Sequence, residues 1–142
     1  MKSIALALAL GLAACGPGDA QVSKLKADEV QATLPGRVID QAQLLDATRE
    51  QALESRLARL EQVTTDQMVV VSVTTLGGKS ADQYAWDFGN RWGLGRQDMD
   101  NGVVMVVAPA ERKLWVAVGL GLEGLLTKDH TQGIVDRMLV DF

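Results

Sequence analysis

A chain of 142 residues with 47% hydrophobic and 23% charged residues has room for one globular domain and excludes a fibrous or wholly disordered protein. The formal charge is -4, and apart from Arg112-Lys113 the basic residues form no cluster beyond the extreme N-terminus, so nucleic acid is excluded as a partner. A single cysteine leaves no internal disulfide to staple the fold.

The N-terminus reads Met1-Lys2-Ser3 followed by an apolar run over residues 4–12. That run falls short of the roughly 20 residues a membrane span needs, which makes it the hydrophobic part of a signal peptide. It ends in Leu12-Ala13-Ala14-Cys15, which resembles the lipobox of bacterial lipoproteins. The resemblance implies that residues 1–14 are removed and that Cys15 carries lipid. The protein is then anchored in a membrane and faces the periplasm or exterior. Residues 15–33 hold Gly, Pro, Asp, Gln, Ser and Lys without helical or strand period, as a tether does, and the domain is expected over 34–142.

Arg37-Val38-Ile39-Asp40 reads as a short extended segment. Asp46 then caps a helix with Leu53, Leu57 and Leu60 on one face. Residues 67–75 are β-branched and apolar almost throughout, the look of a strand buried on both faces. Gly77-Gly78 turns the chain, Ser80 and Gln83 form a capping box, and Ala81, Ala85, Phe88 and Trp92 line a second helix that stops at Gly93. A loop over 94–101 leads to a buried strand over 103–108, a tight turn at Pro109-Ala110-Glu111, and a strand over 114–118 that pairs with it as an antiparallel hairpin. Residues 119–126 are a glycine-rich loop or one helical turn. Thr127 caps a last helix with Ile134, Val135, Met138 and Leu139 facing inward. This order implies an α/β fold, a mixed sheet covered by helices.

Several motifs invite a catalytic reading and lose it on inspection. Gly78-Lys79-Ser80 resembles the tail of a phosphate-binding loop, but the first glycine of that motif would fall at Val73, inside a strand, and no nucleotide is expected. Gly119, Gly121 and Gly124 match G-x-G-x-x-G after a strand that belongs to a hairpin, so they read as a loop needing positive φ and close backbone packing. His130 is the only histidine and lacks the serine elbow of a hydrolase; zinc has too few soft ligands. Asp98, Asp100 and Asn101 are different, since they supply the hard oxygens that calcium or magnesium prefers, though a polar turn explains them equally. If the hairpin forms, Asp100 and Glu123 come within reach of one ion, and Gly119 and Gly121 let backbone carbonyls turn toward it.

Several blocks occur together in order: Gly36-Arg37-Val38-Ile39-Asp40 with Ala42 and Leu44-Leu45; Gln67; Trp92-Gly93-Leu94-Gly95; Asp100-Asn101-Gly102-Val103; Arg112-Lys113; and Val118-Gly119-Leu120-Gly121-Leu122-Glu123. In combination they resemble the TPM domain family. The resemblance implies a three-layer α/β/α sandwich, an extracytoplasmic location and, in some members, a divalent cation and an acid phosphatase activity. The family's polar loop falls on Asp98, Asp100 and Asn101 and its glycine segment on Gly119, Gly121, Leu122 and Glu123, while Lys128 stands where an aspartate is usual. Family domains usually continue beyond the last helix, so the chain is expected to leave apolar surface uncovered near Phe142. The reading that results is a membrane-tethered binding or quality-control module of the cell envelope with a calcium-type or magnesium ion and an envelope protein as partner. Its alternative is a metal-assisted phosphomonoesterase.

Overall fold

A computed structural model describes residues 34–140. Cys15, the leader, the tether and Phe142 lie outside the described residues. The chain order is β1 (Val38–Asp40), α1 (Ala47–Thr64), β2 (Gln67–Ser72), α2 (Ala81–Trp92), β3 (Gly102–Ala108), β4 (Lys113–Val118), a 3-10 turn (Leu120–Leu122) and α3 (Lys128–Val140). The four strands lie side by side in sequence order, β1, β2 and β3 parallel and β4 antiparallel to β3. The mixed sheet and its hairpin match the sequence expectation.

The boundaries follow local chemistry. The Asp46 side chain accepts from Arg49 N at 2.8 Å and starts α1, and Thr65 ends it in the left-handed region at φ 69°. Ser80 N donates to the Gln83 side chain at 3.4 Å, and Gly93 stops α2 at φ 60°. Lys79 pairs with Asp87 of that helix, so Gly78-Lys79-Ser80 is a turn and a cap. His130 N donates to Thr127 Oγ1 at 3.4 Å at the head of α3.

Because side chains alternate along a strand, the valine runs feed two cores. Val69, Val71, Val73, Val104, Val106 and Ala117 pack under Ala81 and Ala85 of α2. On the other face Val103, Val107, Leu114, Val116 and Val118 pack against Leu122 and Val135. Leu53 and Leu57 of α1 share this face with Met138 of α3 across a cavity of about 360 Å³. The result is three layers, α2 on one side of the sheet and α1 with α3 on the other. Two right-handed crossovers stepping the same way along a sheet would put α1 and α2 on the same face. One of them is therefore left-handed, against the usual strong preference. The expected stripe on α1 is narrower than its leucines suggest: Leu57 is buried, but Leu60 is 36% exposed, and α1 packs mainly on β1 and β2. Met138 is likewise 36% exposed at the rim of the apolar cavity. Among the described residues no helix is long and apolar enough to cross a membrane.

Candidate functional site

The end of the hairpin away from its tight turn brings two loops together. After Gly93, the backbone of Gly95 adopts φ 91° and its N–H donates to the Gln67 side chain at 2.9 Å. Residues 96–100 close a turn in which Met99 N and Asp100 N both donate to Arg96 O, and Asp100 takes a left-handed φ of 46°. Asn101 is the keystone. It is 2% exposed; its Oδ1 accepts from Arg96 N at 2.9 Å, and its Nδ2 donates to Thr65 O at 2.9 Å and Asp66 Oδ1 at 3.1 Å. Its side chain thus ties the loop before β3 to the turn before β2, and both ends of the amide are in use.

The second loop docks on the first by backbone contact. Gly119 N donates to Gly102 O at 2.7 Å and Gly121 N to Asp100 O at 3.1 Å. A Cβ at Gly119 would overlap the Asp100 carbonyl oxygen, and one at Gly121 the Met99 carbonyl oxygen. Close approach is the reason for these glycines. The positive φ expected of them is absent: among the described residues the left-handed glycines are Gly77, Gly78, Gly93 and Gly95, and Gly119 has φ -65°. The 3-10 turn after Gly119 removes the need for a left-handed residue.

Asp98, Asp100 and Glu123 are exposed at this junction, while Asn101 and Gly102 are buried beneath it. Among the described residues no three or more His, Cys, Asp or Glu side chains are gathered where one metal ion could sit. The donor chemistry of the carboxylates suits a hard cation, but Asn101 could not turn its oxygen to an ion without abandoning Arg96 N. His130 is exposed on α3, away from these loops in sequence and unconnected to them by any hydrogen bond.

A polar network at the start of β1 and β2 escaped the motif reading, although Arg37 and Gln67 are among its members. Arg37 bridges Glu54 at 3.2 Å and Glu61 at 2.6 Å, and Gln67 Nε2 donates to Glu61 at 3.0 Å. The hydrogen bond from Arg37 to Glu61 raises the guanidinium pKa further. Burial pushes the Glu61 carboxyl up, yet the hydrogen bonds from Arg37 and Gln67 outweigh it and hold Glu61 below the usual carboxylate value. Arg37, Glu61 and Gln67 border a hollow of about 420 Å³ with Trp92 and Gly95. The signal that could have found them was the i, i+7 pair Glu54 and Glu61 on one helix, opposite a lone arginine.

The family model for the TPM domain, TPM_phosphatase, matches residues 38–142. The structure is similar to the solution NMR structure of the N-terminal domain of a protein from P. gingivalis, with TM-score 0.70 and 25% identity over 79% of this chain and 72% of that one. It is also similar to the N-terminal domain of the cg2496 protein from Corynebacterium glutamicum, with TM-score 0.60 and 13% identity over 76% of this chain and 69% of the other, a likeness of fold alone. No curated protein matches. The matched span takes in β1, the Asn101 turn and the glycine junction, and the chain belongs to the TPM domain family.

Proposed function

We propose that this TPM domain is a binding module of the cell envelope, tethered through lipid on Cys15, and that its hairpin-end loops take a divalent cation of the calcium or magnesium type. The observation that carries the cation reading is the junction itself, where Asp98, Asp100 and Glu123 stand exposed over two loops fixed by Asn101, Gly119 and Gly121. Asn101 serves as scaffold rather than ligand in this reading. The ion would then be held by one or two of these exposed carboxylates and by water, in a shallow and weak site.

Calcium should raise the melting temperature in a concentration-dependent way, as a ligand selective for the native state must, and Asp100→Ala should remove the shift while leaving the fold intact. An unchanged melt of the wild type at millimolar calcium retires the cation. The tether is tested separately by fractionating wild type and Cys15→Ala: release of the variant from membranes is expected, and identical partitioning refutes the anchor. The alternative, metal-assisted phosphomonoester hydrolysis, is favoured only by the name of the matching family model. Turnover of a generic phosphomonoester that needs divalent ion and is lost in Asp100→Ala would replace the binding reading with it.

A further inference from the structure

The strand β4 forms one border of the sheet, and among the described residues no strand pairs with its outer edge. Gly119 N bonds Gly102 O, and the register sets Val118 opposite Val103, so alternation assigns the peptide groups of residues 113, 115 and 117 to β3. The N–H and C=O groups of Leu114, Val116 and Val118 therefore point outward, and the hydrogen bonds among the described residues give them no partner. These residues are 4%, 9% and 9% exposed, backbone included, so their outward peptide groups sit at the floor of a narrow cleft rather than on a free ribbon.

The cleft has walls from both helical layers. Trp86 of α2 stands on one side and Thr131, Gln132 and Val135 of α3 on the other, enclosing about 380 Å³. Toward Lys113 it continues into a second hollow of about 320 Å³ that shares Trp115, Gln132 and Val135. The two hollows run the length of β4, six residues or roughly 20 Å of extended chain. Trp115 faces the α2 side, and its indole Nε1 is buried with no acceptor, a costly state for a donor. Trp86 is 47% exposed at the rim. Long sheet edges are ordinarily blunted by proline, a bulge or inward charge, and β4 has only Lys113 at its start.

We infer that this cleft is a peptide-binding site in which an extended segment of another polypeptide adds to β4 as a fifth strand. A row of alternating donors and acceptors is matched by one kind of ligand, another extended backbone. A second copy of this chain does not fit as well, because α2 and α3 overhang both sides of β4 and two copies would drive those helices into the same space. The lining asks for alternating side chains, apolar ones against Trp86 and Trp115 and hydroxyl-bearing ones near Thr131 and Gln132. Rotation of the Trp115 ring toward the incoming chain supplies its Nε1 with a carbonyl acceptor. The inference rests on the binding-module reading but not on the cation.

The probe is a capped octapeptide alternating valine and threonine, titrated into the full chain and followed by tryptophan fluorescence. Binding is expected, and N-methylation of every second amide on the probe should weaken it by at least about tenfold through loss of strand hydrogen bonds at unchanged apolarity. Val116→Pro removes an outward donor and should weaken binding to a similar degree; should that variant fail to fold, Trp86→Ala, at an exposed position, tests the same cleft. Absence of binding, equal affinity of the N-methylated probe, or wild-type affinity in a folded Val116→Pro would each overturn the inference. So would self-association that protects the β4 amides without peptide. A calcium-dependent melt retained alongside failed peptide binding would remove the cleft and leave the cation reading standing.

Discussion

The two borders of the sheet solve the same physical problem in opposite ways. At β1, the helix that follows supplies a carboxylate: Glu54 Oε2 accepts from Arg37 N at 2.7 Å and from Val38 N at 2.9 Å, covering the outward backbone donor. Asp40 finishes the strand by accepting from Leu44 N at 3.0 Å, Leu45 N at 2.8 Å and the Ser72 hydroxyl. At β4 the flanking helices give walls and no caps. A three-residue strand is closed by its own helix, while a six-residue strand is left open between two. Edges that are neither capped nor blunted are where sheets recruit other chains.

The contrast can be broken most severely within β4 itself. Ala117 donates inward to β3 and Val116 points outward, so Ala117→Pro should cost about 3 kcal/mol and Val116→Pro only about 1 kcal/mol, read by urea unfolding. Equal costs would mean that the strand has no open side. At the other border, Glu54→Ala leaves Arg37 N and Val38 N without acceptors and removes one arm of Arg37. A loss of about 2 kcal/mol is expected, discounted because both side chains are one-third exposed. A loss under about 0.5 kcal/mol in the same unfolding measurement would show that water caps β1 equally well.

Acid sharpens the difference further. Burial pushes the Asp40 carboxyl up, but hydrogen bonds from Ser72, Leu45 and Leu44 together hold it below its ordinary value, as hydrogen bonds do for Glu61. A carboxylate with a depressed pKa in the folded state contributes stability above its unfolded pKa and loses it as pH falls through the folded one. Stability should therefore decline below about pH 4.5, with the β1 border opening first. Asp40→Asn should flatten that decline in a pH series of unfolding curves; an unaltered acid limb would place the acid sensitivity elsewhere.

Much of the scaffold was legible in the sequence because it is written locally. Valine runs mark β2 and β3, Asp46 and Thr127 mark helix starts, and Gly93 marks a stop. What could not be read depends on partners far along the chain. Asn101 looked like a ligand and is a staple, since Thr65 and Asp66, which occupy its amide, lie 36 and 35 residues away. Nothing local marks Glu54 out from the other charges of α1, and only the return of α1 over β1 turns it into a cap. The glycines at 119 and 121 were read as left-handed, whereas carbonyl groups of residues 99 and 100 decide them. Nothing local distinguishes a left-handed crossover from a right-handed one, and the open flank of β4 follows from pairing register rather than residue type.

Hydrogen exchange along β4 in the full chain, at dilution and without added peptide, tests the central claim most directly. Alternation should be visible residue by residue: the amides of Trp115 and Ala117, bonded to β3, exchange slowly, while those of Leu114, Val116 and Val118 exchange faster by about tenfold or more. On β1 the Val38 amide, held by Glu54, should be protected although it too points away from the sheet. Uniform protection along β4 would mean that its outer edge is already paired, and the open-border account would fall.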